Sequence, residues 1–166
     1  MRKQDVTYTV INIVLVHFFI SVFTGLAFGV THPLSSLYIE GKPFIFIIVS
    51  LLMMLPLYML AGYFFILGKN SLYQMNKTLA LASFYFALFM LGVYALCFVL
   101  VHYKIVSNAW MYYVLVNYPN ALIFNNITLK IDSQNLWFCL TAINGSLGFY
   151  LGAMIRYGYE KVKVKE

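Results

Sequence analysis

The sequence gathers its charges into short clusters and leaves long runs between them with none. No Asp, Glu, Lys or Arg lies between Asp5 and Glu40, between Lys42 and Lys69, between Lys77 and Lys104, or between Asp132 and Arg156. A helix needs about 20 mostly apolar residues to cross a hydrocarbon core about 30 Å thick, because it rises 1.5 Å per residue. Runs 6–29, 44–67, 78–101 and 136–155 each have that length and are closed by charge, Gly, Pro or Asn. The chain therefore reads as all-α, a polytopic membrane protein with four transmembrane helices in a single domain, 1–166. A water-soluble fold does not fit: 63% of the residues are hydrophobic and 10% charged, against about 45–50% and about 25% in soluble domains. Intrinsic disorder, which needs low hydrophobicity and high charge, is excluded on the same ground.

A fifth charge-free stretch, Ile105 to Leu129, does not read as a span. Its apolar core, Ala109 to Val116, is too short to cross. Asn117-Tyr118-Pro119-Asn120 then interrupts it, and Asn125 and Asn126 follow. Irregular backbone at membrane depth survives only where protein or water satisfies its polar groups. Pro119 lacks a donor and biases Tyr118 away from helix. An interfacial or re-entrant segment is expected between the third and fourth spans: a short helix, then a turn at Asn117 to Asn120 over a cleft. Trp110, Tyr113, Asn117, Tyr118 and Asn120 are its candidate ligand or partner residues, with a plain structural lid as the competing reading.

Basic residues fix the expected orientation. With the N-terminus in the cytoplasm, eight of the eleven Lys and Arg residues face inward: Arg2, Lys3, Lys69, Lys77, Arg156, Lys161, Lys163 and Lys165. That is the positive-inside arrangement, and a fifth span would turn the basic tail, 157–166, outward. The first run is much longer than a signal-peptide core of about 7–15 residues. Lys outnumbers Arg nine to two, and Ile, Asn, Tyr and Phe are common. This bias points to an AT-rich genome and a bacterial plasma membrane.

Within the spans, His17 is the one side chain of ordinary titrating chemistry besides thiols and phenols. His17, Ser21 and Thr24 share a helix face at i, i+4 and i+7. Ser21, Gly25 and Gly29 form a small-residue ladder beside it. In the fourth span Thr141, Asn144, Gly145, Gly148 and Gly152 share a face. Small residues let helix backbones approach closely in lipid, so the first and fourth helices are expected to pack through Ser21, Gly25, Gly29, Gly145, Gly148 and Gly152. His17 and Asn144 would then form a buried polar pair at similar depth. Pro56 is expected to kink the second helix by removing a hydrogen bond.

Other chemistry is thin. His32, His102, Glu40 and Asp132 share the outer loops without zinc-type spacing. Cys97 and Cys139 have no C-x-x-C context. Nucleophile motifs, phosphate loops and dinucleotide fingerprints are missing. No catalytic residue, metal or cofactor is expected. The reading is a non-catalytic plasma-membrane protein acting by helix association, as an accessory, regulatory or immunity-type subunit or a homo-oligomer. Its expected partners are the lipid bilayer and another membrane protein or itself, with no nucleic acid. Transport or permeation of a small solute, lipid or ion is the alternative, and a lipid-directed enzyme comes last.

Overall fold

The computed structural model describes residues 3–28, 43–64, 72–106, 108–121 and 139–163. Among them all regular structure is helical: α1 (Lys3–Phe28), α2 (Pro43–Phe64), α3 (Leu72–His102), α4 (Ala109–Val116), α5 (Tyr118–Ala121) and α6 (Leu140–Lys163). Two stretches, Asp5–Ala27 and Met75–His102, are long and apolar enough to cross a membrane. Helices α1, α2, α3 and α6 overlap the four charge-free runs, though 65–67 and 136–138 lie outside the described residues. Helix α6 continues through most of the basic tail to Lys163. Pro56 sits inside α2, which runs as one helix from Pro43 to Phe64.

The packing inverts the soluble-protein pattern. Large apolar side chains point outward: Phe19, Phe23, Leu26, Leu52, Phe84 and Leu96 are all exposed, Leu26 by 83%. The polar side chains point inward: Thr9, His17, Ser21, Asn117, Asn120, Thr141 and Asn144 are buried, Asn144 to 1% exposure. Two buried threonines satisfy their hydroxyls on their own helix, Thr9 donating to the Asp5 carbonyl and Thr24 to that of Ile20, each at 2.7 Å. Such back-bonding is the local solution where no water competes. Ile13, Leu79, Phe86, Met90 and Phe149 fill the apolar core between the long helices.

The helix contacts differ from the sequence expectation in one respect. Helix α6 makes its most extensive contact with α2, not α1. A side chain at Gly148 would meet the Tyr58 Cβ at 2.6 Å and the Leu55 carbonyl at 3.0 Å. One at Gly152 would collide with the backbone of Met59, and one at Gly62 with that of Phe149. Glycines on both helices thus interdigitate, and the small-residue face of α6 serves α2. Helix α1 packs mainly against α3 and α5, and α5 also touches α6. Gly25 faces the Tyr118 ring, whose Cγ would lie 3.7 Å from an added Cβ. Gly29 lies outside the described residues.

A left-handed turn sends the chain back after α3. Lys104 has φ 55; its N–H donates to the Val101 carbonyl at 3.0 Å, and the Ile105 N–H donates to that of Leu100 at 2.9 Å. This pair of bonds is the Schellman arrangement, in which the left-handed residue is most often Gly. The reversal lays α4 against the end of α3, with Tyr94 5.3 Å by ring centroids from both Trp110 and Tyr113.

Candidate functional site: a buried polar network around His17

The site is built where α4 ends. The last carbonyls of any helix have no partner within it, and α4 ends in the middle of the bundle. Two α1 side chains one turn apart cover its Val116 carbonyl. The His17 Nε2–H donates to that oxygen at 2.8 Å, and the Ser21 hydroxyl donates to it at 3.3 Å. With Nε2 carrying the proton, Nδ1 is the acceptor, and the Tyr58 hydroxyl of α2 donates to it at 2.9 Å. The imidazole is stacked on Tyr58, with centroids 5.6 Å apart and planes 18° apart, and Phe86 presents an edge at 5.1 Å. Both ring nitrogens are engaged.

A second chain of hydrogen bonds runs in one direction through the segment after α4. Asn144 Nδ2 of α6 donates to Asn120 Oδ1 at 2.7 Å, and Asn120 Nδ2 donates to Asn117 Oδ1 at 2.9 Å. Asn117 Nδ2 donates to the Tyr113 hydroxyl at 2.9 Å and to the Thr141 carbonyl at 3.3 Å. The same phenol shares a hydrogen bond with Thr141 Oγ1 at 3.0 Å, in which either hydroxyl can donate. The Tyr58 hydroxyl also lies against Asn120 and so joins the two chains. Among the described residues, Asn144 Oδ1 is buried with no hydrogen-bond partner.

Sequence reasoning pairs His17 with Asn144; the structure puts them in one network without a direct bond. His17 is held by α2 and α4, Asn144 by α5. Gly145 explains the proximity: a Cβ there would stand 3.3 Å from His17 Nδ1 and 3.2 Å from Tyr58 Cε1. The expected short helix is present as α4, but the expected turn is shorter: the chain bends at Asn117, and Tyr118, expected to be biased out of helix by Pro119, begins α5; both helices enter the bundle. Trp110, Tyr113, Asn117 and Asn120 are buried there and Tyr118 is half-buried. Among the described residues, the side chains of His17, Tyr58 and Asn144 lie against this segment. Pro119 occupies the second position of α5, where a missing N–H costs nothing.

Tyr58 is the main residue that sequence reasoning misses. The signal was available: a tyrosine near the middle of a long charge-free apolar run needs a partner for its hydroxyl once buried. Cys97 and Cys139 are free thiols. His102 stacks on Phe98 at 5.8 Å. Among the described residues no three metal-ligating side chains converge; His32, Glu40 and Asp132 lie outside them. Comparison with protein-family models, curated proteins and solved structures gives no match.

Proposed function

We propose that the chain is a four-span protein of the plasma membrane, with both termini in the cytoplasm, that acts by association and not by catalysis. The observation that carries the membrane part is the inversion of polarity. A surface that carries Phe19, Phe23, Leu26, Leu52 and Leu96, over an interior where buried Asn, His, Ser and Thr sit among the apolar core residues, matches lipid as the solvent and would aggregate in water. In this reading α4 and α5 form a re-entrant element whose backbone end is satisfied by His17 and Ser21, the condition under which irregular backbone is tolerated at that depth. The non-catalytic part is supported by the engagement of the central side chains with one another. His17 gives one ring nitrogen to a backbone carbonyl and the other to the Tyr58 hydroxyl, which ties the ring into the packing of α1, α2 and α4. The remaining means of action is the outer surface, toward another membrane protein or a second copy.

Two measurements test this. Single cysteines introduced as Ser35→Cys, Gln74→Cys, Thr128→Cys and Lys163→Cys, on a background lacking Cys97 and Cys139, are exposed to an impermeant reagent. Positions 35 and 128 should label from outside, and 74 and 163 only after permeabilisation; outside labelling at 163 would overturn the topology. Extraction in mild detergent should yield a stoichiometric complex with itself or a membrane partner, and a uniform monomer would overturn association.

Transport is the second reading, and one observation favours it. The re-entrant element carries a buried amide chain ending in the unpartnered Asn144 Oδ1, and broken helices at mid-membrane are how transporters build polar sites. Solute flux through liposomes containing the purified chain alone would favour it over association.

A further inference from the structure

The outer face of the α2–α6 pair carries a groove with a cation at one end. On α2 it is lined by Pro56, Met59, Leu60 and Tyr63, at i, i+3, i+4 and i+7, and on α6 by Gly152 and Ile155. It is apolar throughout and encloses about 330 Å³, within the size range of small-ligand pockets. It exists because Gly152 brings the two backbones together and contributes no side chain of its own. Tyr63 closes one end and is also the seat of Arg156. The guanidinium lies 5.7 Å from the centre of the Tyr63 ring, and its Nη1 donates to the Tyr63 carbonyl at 3.2 Å. A cation that would otherwise swing in solvent is thereby fixed where the groove ends.

We propose that this groove binds one anionic phospholipid of the cytoplasmic leaflet, an acyl chain lying along Pro56, Leu60 and Ile155 and the phosphate meeting Arg156. The inference rests on the membrane reading above, which places Arg156 at the cytoplasmic headgroup level. Charge complementarity selects the occupant. A guanidinium presents a planar fork of donors that matches phosphate oxygens, and an apolar channel leading away from it matches an acyl chain. A helix of a second copy would fill the channel but bring no phosphate to Arg156. Free phosphate would meet Arg156 but leave the channel unfilled.

The test is native mass spectrometry of the detergent-solubilised full chain with phosphatidylglycerol, phosphatidylcholine of the same acyl chains, or inorganic phosphate. One phosphatidylglycerol should be retained about fivefold more than phosphatidylcholine, the scale of one basic residue acting on anionic lipid, with no retention of inorganic phosphate. Arg156→Gln should abolish the headgroup preference, while Lys77→Gln, a basic residue expected on the same side, should keep it. Leu60→Trp, which fills the channel, should lower retention of both lipids, and it carries the test if Arg156→Gln fails to fold. Equal retention of the two lipids by the wild type, an undiminished preference in Arg156→Gln, undiminished retention in Leu60→Trp, or self-association lost in Leu60→Trp in place of lipid would each overturn the site. The same preparation is washed with alkaline carbonate: release from the membrane would overturn the membrane reading itself. A firmly embedded chain without headgroup preference would overturn the lipid site alone.

Discussion

His17 of α1 donates a hydrogen bond at 2.8 Å to the carbonyl of Val116, ninety-nine residues further along the chain. One bond thus ties the middle of the first long helix to the free end of a helix only eight residues long. The acceptor is a backbone oxygen, so no side-chain substitution on α4 removes it. The need for a donor at position 17 comes from the architecture. Any chain that ends a helix inside an apolar bundle must supply a donor there or leave the carbonyl bare.

Replacing His17 by Leu should therefore destabilise the bundle by about 1–3 kcal/mol, the range for stranding a buried polar group. It strands part of the demand at Val116 and also the Tyr58 hydroxyl, which loses its acceptor. His17→Gln retains an amide donor and should recover part of the loss. Thermal unfolding in detergent, read by loss of a monodisperse peak, measures both. A His17→Leu variant as stable as the wild type would remove this bond from the account of the fold.

Glycine positions make a sharper contrast. Gly152 and Gly62 face backbone across the α2–α6 contact, whereas an added Cβ at Gly92 meets nothing within 4 Å among the described residues. Gly92→Ala should be neutral or stabilising by up to about 1 kcal/mol, since Ala is the better helix former. Gly152→Ala should lower the unfolding temperature markedly, because two backbones must separate to admit one methyl group; overpacking typically costs about 1–3 kcal/mol. Equal melting temperatures for the two variants would mean that α2 and α6 are not in backbone contact.

Much of this was legible in the sequence, and the boundary of what was legible has a physical cause. Charge-free runs locate helices because the length requirement acts on each segment by itself. That the helix from Ala109 ends at Val116 was readable, but the break is confined to Asn117, because Pro119 is tolerated in the first turn of α5. The roles of Gly145, Gly148 and Gly152 as close-packing residues were also readable, but their partner was not. A small-residue face states that something approaches, and α1 and α2 both carry small residues. The choice fell to α2 because α4 and α5 fill part of the space beside α1, which depends on how deeply a segment with no span-length signal enters. Tyr58 was obscured for a related reason. It sits in a strongly apolar run, where a phenol reads as one more large hydrophobe unless its hydroxyl is counted.

Lys104 offers a test of the turn that directs α4 into the bundle. Its φ of 55 is a left-handed conformation that costs a residue with a Cβ about 1–2 kcal/mol and costs Gly little. Lys104→Gly should hold the same pair of hydrogen bonds and leave stability unchanged or raised by up to about 1 kcal/mol. Lys104→Val, β-branched and poorly suited to that region, should lower it. Unfolding temperatures in that order, Gly at least equal to Lys and Val below both, support the turn; Val equal to Gly would contradict it.

The last prediction concerns the amide chain that joins α5 to α6. Asn144 donates to Asn120 at 2.7 Å, and Asn120 in turn donates to Asn117. Removing Asn144 leaves Asn120 Oδ1 without that donor, and removing Asn120 leaves both its neighbours short of a partner. Each single change to Leu should therefore be costly, and the double change should cost less than the sum. Interhelical hydrogen bonds in lipid give coupling energies averaging about 0.6 and reaching about 1.7 kcal/mol. The short, fully buried Asn120–Asn144 bond belongs toward the upper end of that range, because both amides are enclosed by protein and no lipid-exposed alternative is at hand. A double-mutant cycle on unfolding free energy of the reconstituted protein measures the coupling directly. Asn144→Ser supplies a further check: a shorter hydroxyl cannot span the same gap, so it should behave like Asn144→Leu toward Asn120. Strict additivity of Asn120→Leu and Asn144→Leu would show that the two side chains do not meet, and the insertion of α5 against α6 would have to be redrawn.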